Sequence, residues 1–258
     1  MNLNWSRCLL VTAAALSPAA LQAECRATSA DHAVAVVELY TSEGCDSCPP
    51  ADRWLSALKV GTPAAPAVAL AFHVDYWDRL GWRDRFGSAA FTQRQYEQSR
   101  RQHGDFVYTP QVLLQGRDFA WQRNADPTAA MAAVAAKRPR AAIELGVESA
   151  DRETIAVDLT VRIPEARDRA HAAVVVALTQ DGLASEVKAG ENAGKRLAHD
   201  RVVRAWEPNL VLGPGGDLRR TIRFARPTDR GPLSIVALAE DTKTGEVLQA
   251  LSLPLCAP

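Results

Sequence analysis

The stretch Val36-Val37-Glu38-Leu39-Tyr40-Thr41-Ser42-Glu43-Gly44-Cys45-Asp46-Ser47-Cys48-Pro49-Pro50 runs an apolar segment into a Cys-x-x-Cys pair and then into two prolines. Residues 33–40 are almost uniformly apolar and β-branched, the composition of a strand covered on both faces. Proline is tolerated in a helix only in the first turn, where N–H groups lack intrahelical partners. Pro49 and Pro50 therefore place a helix start within or just after the cysteines. That helix runs to residue 58 with Trp54, Leu55 and Leu58 on one stripe, and a Gly-Pro-rich connection at 61–66 ends it before a second buried strand at 67–74. Strand, helix and strand within about 42 residues predict a βαβ unit with parallel strands.

A cysteine pair at a helix start is suited to thiol–disulfide chemistry. The unpaired N–H groups and the positive end of the helix dipole stabilise a thiolate, the form of cysteine that attacks disulfides. The same pair can bind a metal, but a tetrahedral site wants four ligands, and no second Cys-x-x-Cys or His-x-x-x-His follows. A purely structural disulfide is the third option. Glu43 and Asp46 flank Cys45 with negative charge that opposes thiolate formation and limits any depression of its pKa, which leans the pair toward intermediate or reducing behaviour.

Outward from this unit, a polar and aromatic insertion at about 75–103 contains Tyr76, Trp77, Trp82 and a helix from about 88 to 103. Its aromatics either line a groove or build a small core of their own. Residues 107–117 read as a strand opened by Pro110 and closed by a Gly116 turn, with 118–122 returning as a hairpin partner. Asp126-Pro127 supplies N-cap and N1 chemistry for an alanine-rich helix to about residue 137. After Pro139 the pattern changes to short alternating strands at 141–148, 153–163, 171–180, 183–188, 199–207, 218–225, 233–240 and 246–253. Eight strands without a clear helix predict an antiparallel sandwich.

His73 and Asp75 fall at the carboxyl end of the second parallel strand, the edge where sites gather in open α/β sheets, and alternation puts both on one face. They are candidates for proton transfer beside the sulfurs, or His73 is a structural anchor for the insertion. Residues 190–204 mix glycines with cations and read as a hairpin loop rather than an anion site. Arg83-Asp84-Arg85 and Asp229-Arg230 read as solvated surface, and His32, His103 and His171 have no ligand spacing.

The segments 38–52, 72–82 and 108–111, with Glu38-Leu39-Tyr40-Thr41-Ser42-Glu43-Gly44-Cys45-Asp46-Ser47-Cys48 at their head, resemble a family of secreted bacterial thioredoxin-like proteins catalogued as domain of unknown function 1223. The resemblance implies an α/β thioredoxin-like domain over 33–139 followed by an antiparallel β-sandwich domain over 140–258. It also implies a cis-proline, here Thr109-Pro110, that packs beside the sulfurs and presents backbone to substrate. By the same likeness Cys45 is the exposed nucleophile and Cys48 the resolving cysteine. Asp-Ser in place of Gly-Pro between the cysteines, and the large insertion, depart from thioredoxin itself.

The chain start reads as an export signal over 1–23, with Arg7 before an apolar run too short to span a bilayer. Cys25 lacks the preceding small residues a lipid anchor needs, so no membrane anchor is expected. Thirty basic and thirty acidic residues balance to a formal charge of +0, which gives no field to recruit nucleic acid. Four of five cysteines follow the signal, and four allow three pairings. If Cys45 pairs with Cys48, then Cys25 and Cys256 remain to form a structural disulfide, or stay as thiols. The expectation is thus a periplasmic or secreted thiol–disulfide oxidoreductase-like protein acting on envelope protein thiols or disulfides, or on small disulfides. It needs no cofactor, since the electrons reside in the sulfurs. A Cu(I)-handling protein using Cys45, Cys48 and His73, and a non-catalytic binding module stapled by its cysteines, are the rivals.

Overall fold

The computed structural model describes residues 25–61, 67–123 and 126–256, so the expected export signal lies outside the described residues. After a short strand β1 (Arg26–Thr28), the strands β2 (Ala35–Thr41) and β3 (Ala67–His73) flank helix α1 (Pro49–Ala57). β2 and β3 pair in parallel from Ala35↔Ala67 to Thr41↔His73, every residue of both buried, so the βαβ unit forms. Cys48 is the N-cap of α1 and the two prolines follow in the first turn.

A 3-10 turn (Asp78–Leu80) and α2 (Ala89–Arg101), capped by the Ser88 hydroxyl accepting from the Ala90 N–H, make up the insertion. β4 (Gln111–Leu114) runs antiparallel to β2, and β5 (Arg117–Asp118) is shorter than the expected return strand. α3 (Thr128–Ala135) follows, its first N–H bonded by the Asp126 carboxylate. The remainder comprises β6 (Ala142–Ala150), β7 (Thr154–Arg162), the single-turn α4 (Ala166–Arg169), β8 (Ala172–Gln180), β9 (Leu183–Glu186), β10 (Arg196–His199), β11 (Val202–Leu210), β12 (Asp217–Ala225), β13 (Leu233–Asp241) and β14 (Val247–Pro254).

The sheet order corrects the expected fold class. An α/β thioredoxin-like domain followed by a separate antiparallel sandwich is not what forms. A single mixed sheet runs β14-β13-β8-β11-β3-β2-β4-β5, joining strands from both halves of the chain. Strand makes up 41% of the described residues and helix 16%, so the protein is β-rich rather than a helix-rich α/β fold. The junction is a parallel step from β11 to β3 at Val202↔Ala71, where the Ala71 N–H donates to the Arg201 carbonyl at 2.8 Å. The physical reason is edge satisfaction: β3 alone would present a row of unpaired N–H and C=O groups, and β11 takes up the middle of that row at Ala71, with Gly61 and Ser88 bonding the carbonyls of Ala67 and His73 at its ends.

One face of this sheet carries Val36, Tyr40, Leu70, Phe72, Val175, Ala177 and Val236 against Phe91 of α2. There Arg94 of α2 is held between Glu38 of β2 at 2.6 Å and Glu240 of β13 at 2.9 Å, all three side chains buried. The opposite face is covered at β2 and β3 by α1 and α3 through Leu55, Met131 and Val134. At β8, β13 and β14 that face meets a second sheet, β1-β6-β7-β12, through Ile143, Leu145, Val157, Leu159, Val176, Leu178 and Ile235. The predicted strand at 199–207 is really two: Arg201 takes a φ of 59° and turns the chain between β10 and β11. β9 and β10 thus form a ribbon of their own.

Candidate functional site

Cys45 and Cys48 form a disulfide with Cα atoms 5.4 Å apart. Both residues are 0% exposed, which corrects the expectation that Cys45 is the accessible one; only Asp46 and Ser47 between them reach solvent. The Ser47 hydroxyl lies 3.4 Å from the Cys45 sulfur. The loop is fixed by its own backbone, with the Cys45 N–H donating to Ser42 and the Cys48 N–H to Cys45, while the Ala51 and Asp52 N–H groups close onto the Cys48 carbonyl.

Two walls enclose this loop. The first is the insertion. Trp77 packs so tightly on Gly44 that a Cβ there would sit 3.0 Å from the Trp77 Cβ, and Trp77 Nε1 donates to Thr109 Oγ1 at 2.7 Å. The Thr109–Pro110 bond is cis and Pro110 is buried. Trp82 Nε1 donates to the Glu43 carboxylate at 2.8 Å. The second wall is the loop of the β9–β10 hairpin. Asn192, fully buried, donates its amide to the carbonyls of Glu43 and Cys45 at 2.8 Å each, and the Asp46 N–H donates to Glu191 at 3.1 Å. The first part of residues 190–204 is thus the expected hairpin loop, running into β10 and β11, and that loop docks on the cysteine motif.

Beneath the loop lies a buried group of ionisable side chains. His73 Nδ1 and Asp84 Oδ2 are 2.7 Å apart; Asp84 also accepts from the backbone N–H groups of Glu43 and Phe86. The His73 and His199 rings meet edge to face at 4.9 Å, and His199 stands 3.3 Å from Glu43 and 3.9 Å from Asp52. Burial disfavours the His73 cation, but Asp84, with Asp52 and Glu43 behind it, outweighs burial and raises its pKa above the ordinary 6.5. Burial pushes the Asp84 carboxyl up, yet the His73 charge and three accepted hydrogen bonds hold it below the usual value. Burial pushes the Glu43 carboxyl up, but the His199 imidazole 3.3 Å away and the hydrogen bond from Trp82 outweigh it and lower its pKa. For Asp52, which accepts from the Thr41 hydroxyl, burial wins and raises the pKa.

Several sequence readings change here. Arg83-Asp84-Arg85 is not all solvated surface: Asp84 is 2% exposed and ties the insertion to the Cys45 loop. Asp229 holds Arg85 and Arg204 rather than standing free. His73 anchors the insertion, and Asp75 does not join it: β3 ends at His73, strand alternation stops there, and Asp75 accepts from Thr92 of α2 at 2.6 Å. Glu43 turns its charge into the cluster rather than toward solvent. Asp52, Asp84, Asn192 and His199 were invisible to motif reading, because their partners lie far along the chain. Among the described residues no group of three or more His, Cys, Asp or Glu is arranged to hold a metal, so Cys45, Cys48 and His73 are not assembled as a ligand set. Cys25 and Cys256 are disulfide-bonded, their Cα atoms 5.8 Å apart, tying β1 to the end of β14. No helix among the described residues is long and apolar enough to cross a membrane.

Fold and site define a β-rich, two-disulfide protein with a Cys-x-x-Cys pair buried at a strand-to-helix junction. Residues 36–238 match the family described as protein of unknown function (DUF1223), and the chain belongs to it. The structure is similar to that of protein AGR_C_4864 from Agrobacterium tumefaciens, with 25% identity and a TM-score of 0.58 over 87% of this chain and 96% of that one. It is also similar in fold to HBP35 of Porphyromonas gingivalis, with 12% identity and a TM-score of 0.59 over 88% of this chain and 76% of that one. Comparison with curated proteins gives no match.

Proposed function

We propose that the protein is an exported thiol–disulfide oxidoreductase working through Cys45 and Cys48 on protein thiols and disulfides of the cell envelope or on small disulfides. The observation that carries this reading is the disulfide itself at the start of α1, with Cys48 at the N-cap, where backbone N–H groups and the helix dipole favour a departing thiolate. A partner thiolate attacks the Cys45 sulfur, the Cys45–Cys48 bond breaks, and Cys48 leaves as a thiolate. A second partner thiolate then attacks the partner's own sulfur in the mixed disulfide and releases Cys45. The partner loses two electrons and forms a disulfide; the Cys45–Cys48 pair gains them, and the reverse sequence reduces a substrate disulfide. The Ser47 hydroxyl, 3.4 Å from the Cys45 sulfur, is placed to donate to its thiolate. Thr109 and Pro110 would offer backbone to the partner, and His73 would hold the insertion in register.

A second reading, a static staple in a binding module, draws on the zero exposure of both sulfurs. One experiment separates them. Purified protein is assayed for turnover of a model protein disulfide, with Cys45→Ser expected to abolish it and Cys48→Ser to accumulate a mixed disulfide. If wild type gives no turnover and neither variant differs from it, the exchange reading fails and the staple stands.

A further inference from the structure

The hairpin loop over the cysteines does more than fill space. Three main-chain groups of the motif, the carbonyls of Glu43 and Cys45 and the N–H of Asp46, are bonded by side chains of that loop: the Asn192 amide donates twice and the Glu191 carboxylate accepts once. A polypeptide backbone presents the same kinds of group, an amide N–H that donates as the Asn192 amide does and a carbonyl oxygen that accepts as the Glu191 carboxylate does, so an extended chain laid beside Cys45 can take over the same bonds. We infer that the β9–β10 loop is a built-in occupant of the polypeptide position beside Cys45, a cap that a protein substrate displaces and a small thiol does not. This inference rests on the exchange reading above and names its substrate class.

The remaining structure says which wall moves. With both sulfurs at zero exposure, an attacking thiolate reaches Cys45 only if a wall opens. The insertion is anchored at its base by the buried His73–Asp84 pair and by Trp77 and Trp82. Among the described residues the β9–β10 strands pair only with each other, and their base is held by buried Leu183 and His199 and by Arg85 bonding Ser185 and the Ala184 carbonyl, so the part left to move is the loop at the tip. That loop is largely solvent-facing: Lys188, Glu191, Ala193, Gly194 and Lys195 are exposed, while Val187 at its start and Asn192 at its tip are buried. Lys195 donates to the Asn192 side-chain oxygen at 2.8 Å and so orients the amide toward the two carbonyls. Opening for a small thiol forfeits all three bonds. Opening for an extended polypeptide replaces them, which makes the cap a selector for protein substrates.

The test is single-turnover reduction of the protein's own Cys45–Cys48 disulfide, followed by mass shift after alkylation, with dithiothreitol and with a reduced unfolded protein as reductants. Wild type should react with dithiothreitol far more slowly than an unstructured peptide containing Cys-Asp-Ser-Cys, and faster per thiolate with the unfolded protein than with dithiothreitol. Asn192→Ala should speed the dithiothreitol reaction about tenfold and Glu191→Ala about threefold, with a smaller gain for the unfolded protein. Glu191 is exposed, so its variant keeps the test valid if Asn192→Ala does not fold. Unchanged dithiothreitol rates in the folded variants would overturn the cap. Accelerated rates with no wild-type preference for the polypeptide would overturn the substrate class. Because these rates need no catalytic turnover, a protein that shows the cap but turns over no substrate would defeat the exchange reading separately.

Discussion

Replacing Asp84 by asparagine removes one charge from the buried group under the cysteine loop while preserving shape. Asp84 Oδ2 accepts from His73 Nδ1 at 2.7 Å and from the Glu43 N–H at 2.9 Å, and Oδ1 accepts from the Phe86 N–H at 2.9 Å. An asparagine has one acceptor oxygen, so in either amide orientation its NH2 faces a backbone N–H, and at 2% exposure water cannot compensate. A buried donor left unpaired costs about 1–3 kcal/mol, and losing the carboxylate beside the imidazole adds to it, giving about 2–4 kcal/mol in all. The cost depends on pH with a definite sign. His73 has a raised folded pKa, so its contribution is complete below the unfolded value of 6.5 and is lost as pH rises through the folded value. Asp84 has a lowered folded pKa, so its contribution is complete above 3.8 and is lost as pH falls through the folded value. Wild type should therefore exceed Asp84→Asn by most between about pH 4 and 6.5, and by less at pH 9, where the hydrogen bonds to neutral His73 and the two N–H groups remain. Urea unfolding of both proteins at pH 5.5 and pH 9 measures this. A cost below about 1 kcal/mol at pH 5.5, or one that does not shrink at pH 9, would refute the reasoning.

Arg94→Met leaves Glu38 and Glu240 buried without their cation and should cost about 3–5 kcal/mol in urea unfolding, much of it recovered when both carboxylates are also made glutamine. Gly116→Ala should destabilise by more than about 2 kcal/mol and Gly182→Ala by about 1. Both glycines have positive φ, but a Cβ at 116 would overlap the Gly245 carbonyl oxygen whereas 182 faces open space; equal melting shifts would contradict this. Replacing Cys25 and Cys256 by serine opens a closure spanning 231 residues, which chain entropy values at up to about 5 kcal/mol. A melting temperature matching wild type under non-reducing conditions would show that β1 and β14 hold the ends without it.

Local sequence was sufficient for whatever depends on near neighbours. The period of residues 33–40 and 67–74, the prolines after Cys48 and the turn at Gly116 define β2, α1, β3 and β4, because burial on both faces, a missing N–H and a positive φ act within a few residues. What the sequence withheld is set by contacts distant along the chain. Nothing in residues 202–210 says that this strand will lie on β3 and fuse the two halves into one sheet, since an alternating strand suits any free edge of matching register. A charged triplet such as 83–85 looks the same whether water or a histidine satisfies its carboxylate, and only folding brought His73 and the Glu43 N–H to Asp84. The cover on the cysteines is the clearest case. Cys45 and Cys48 announced their pairing by spacing, but their burial depends on Asn192, 147 residues from Cys45 along the chain and brought there by tertiary packing of a hairpin with no local sequence tie to the motif.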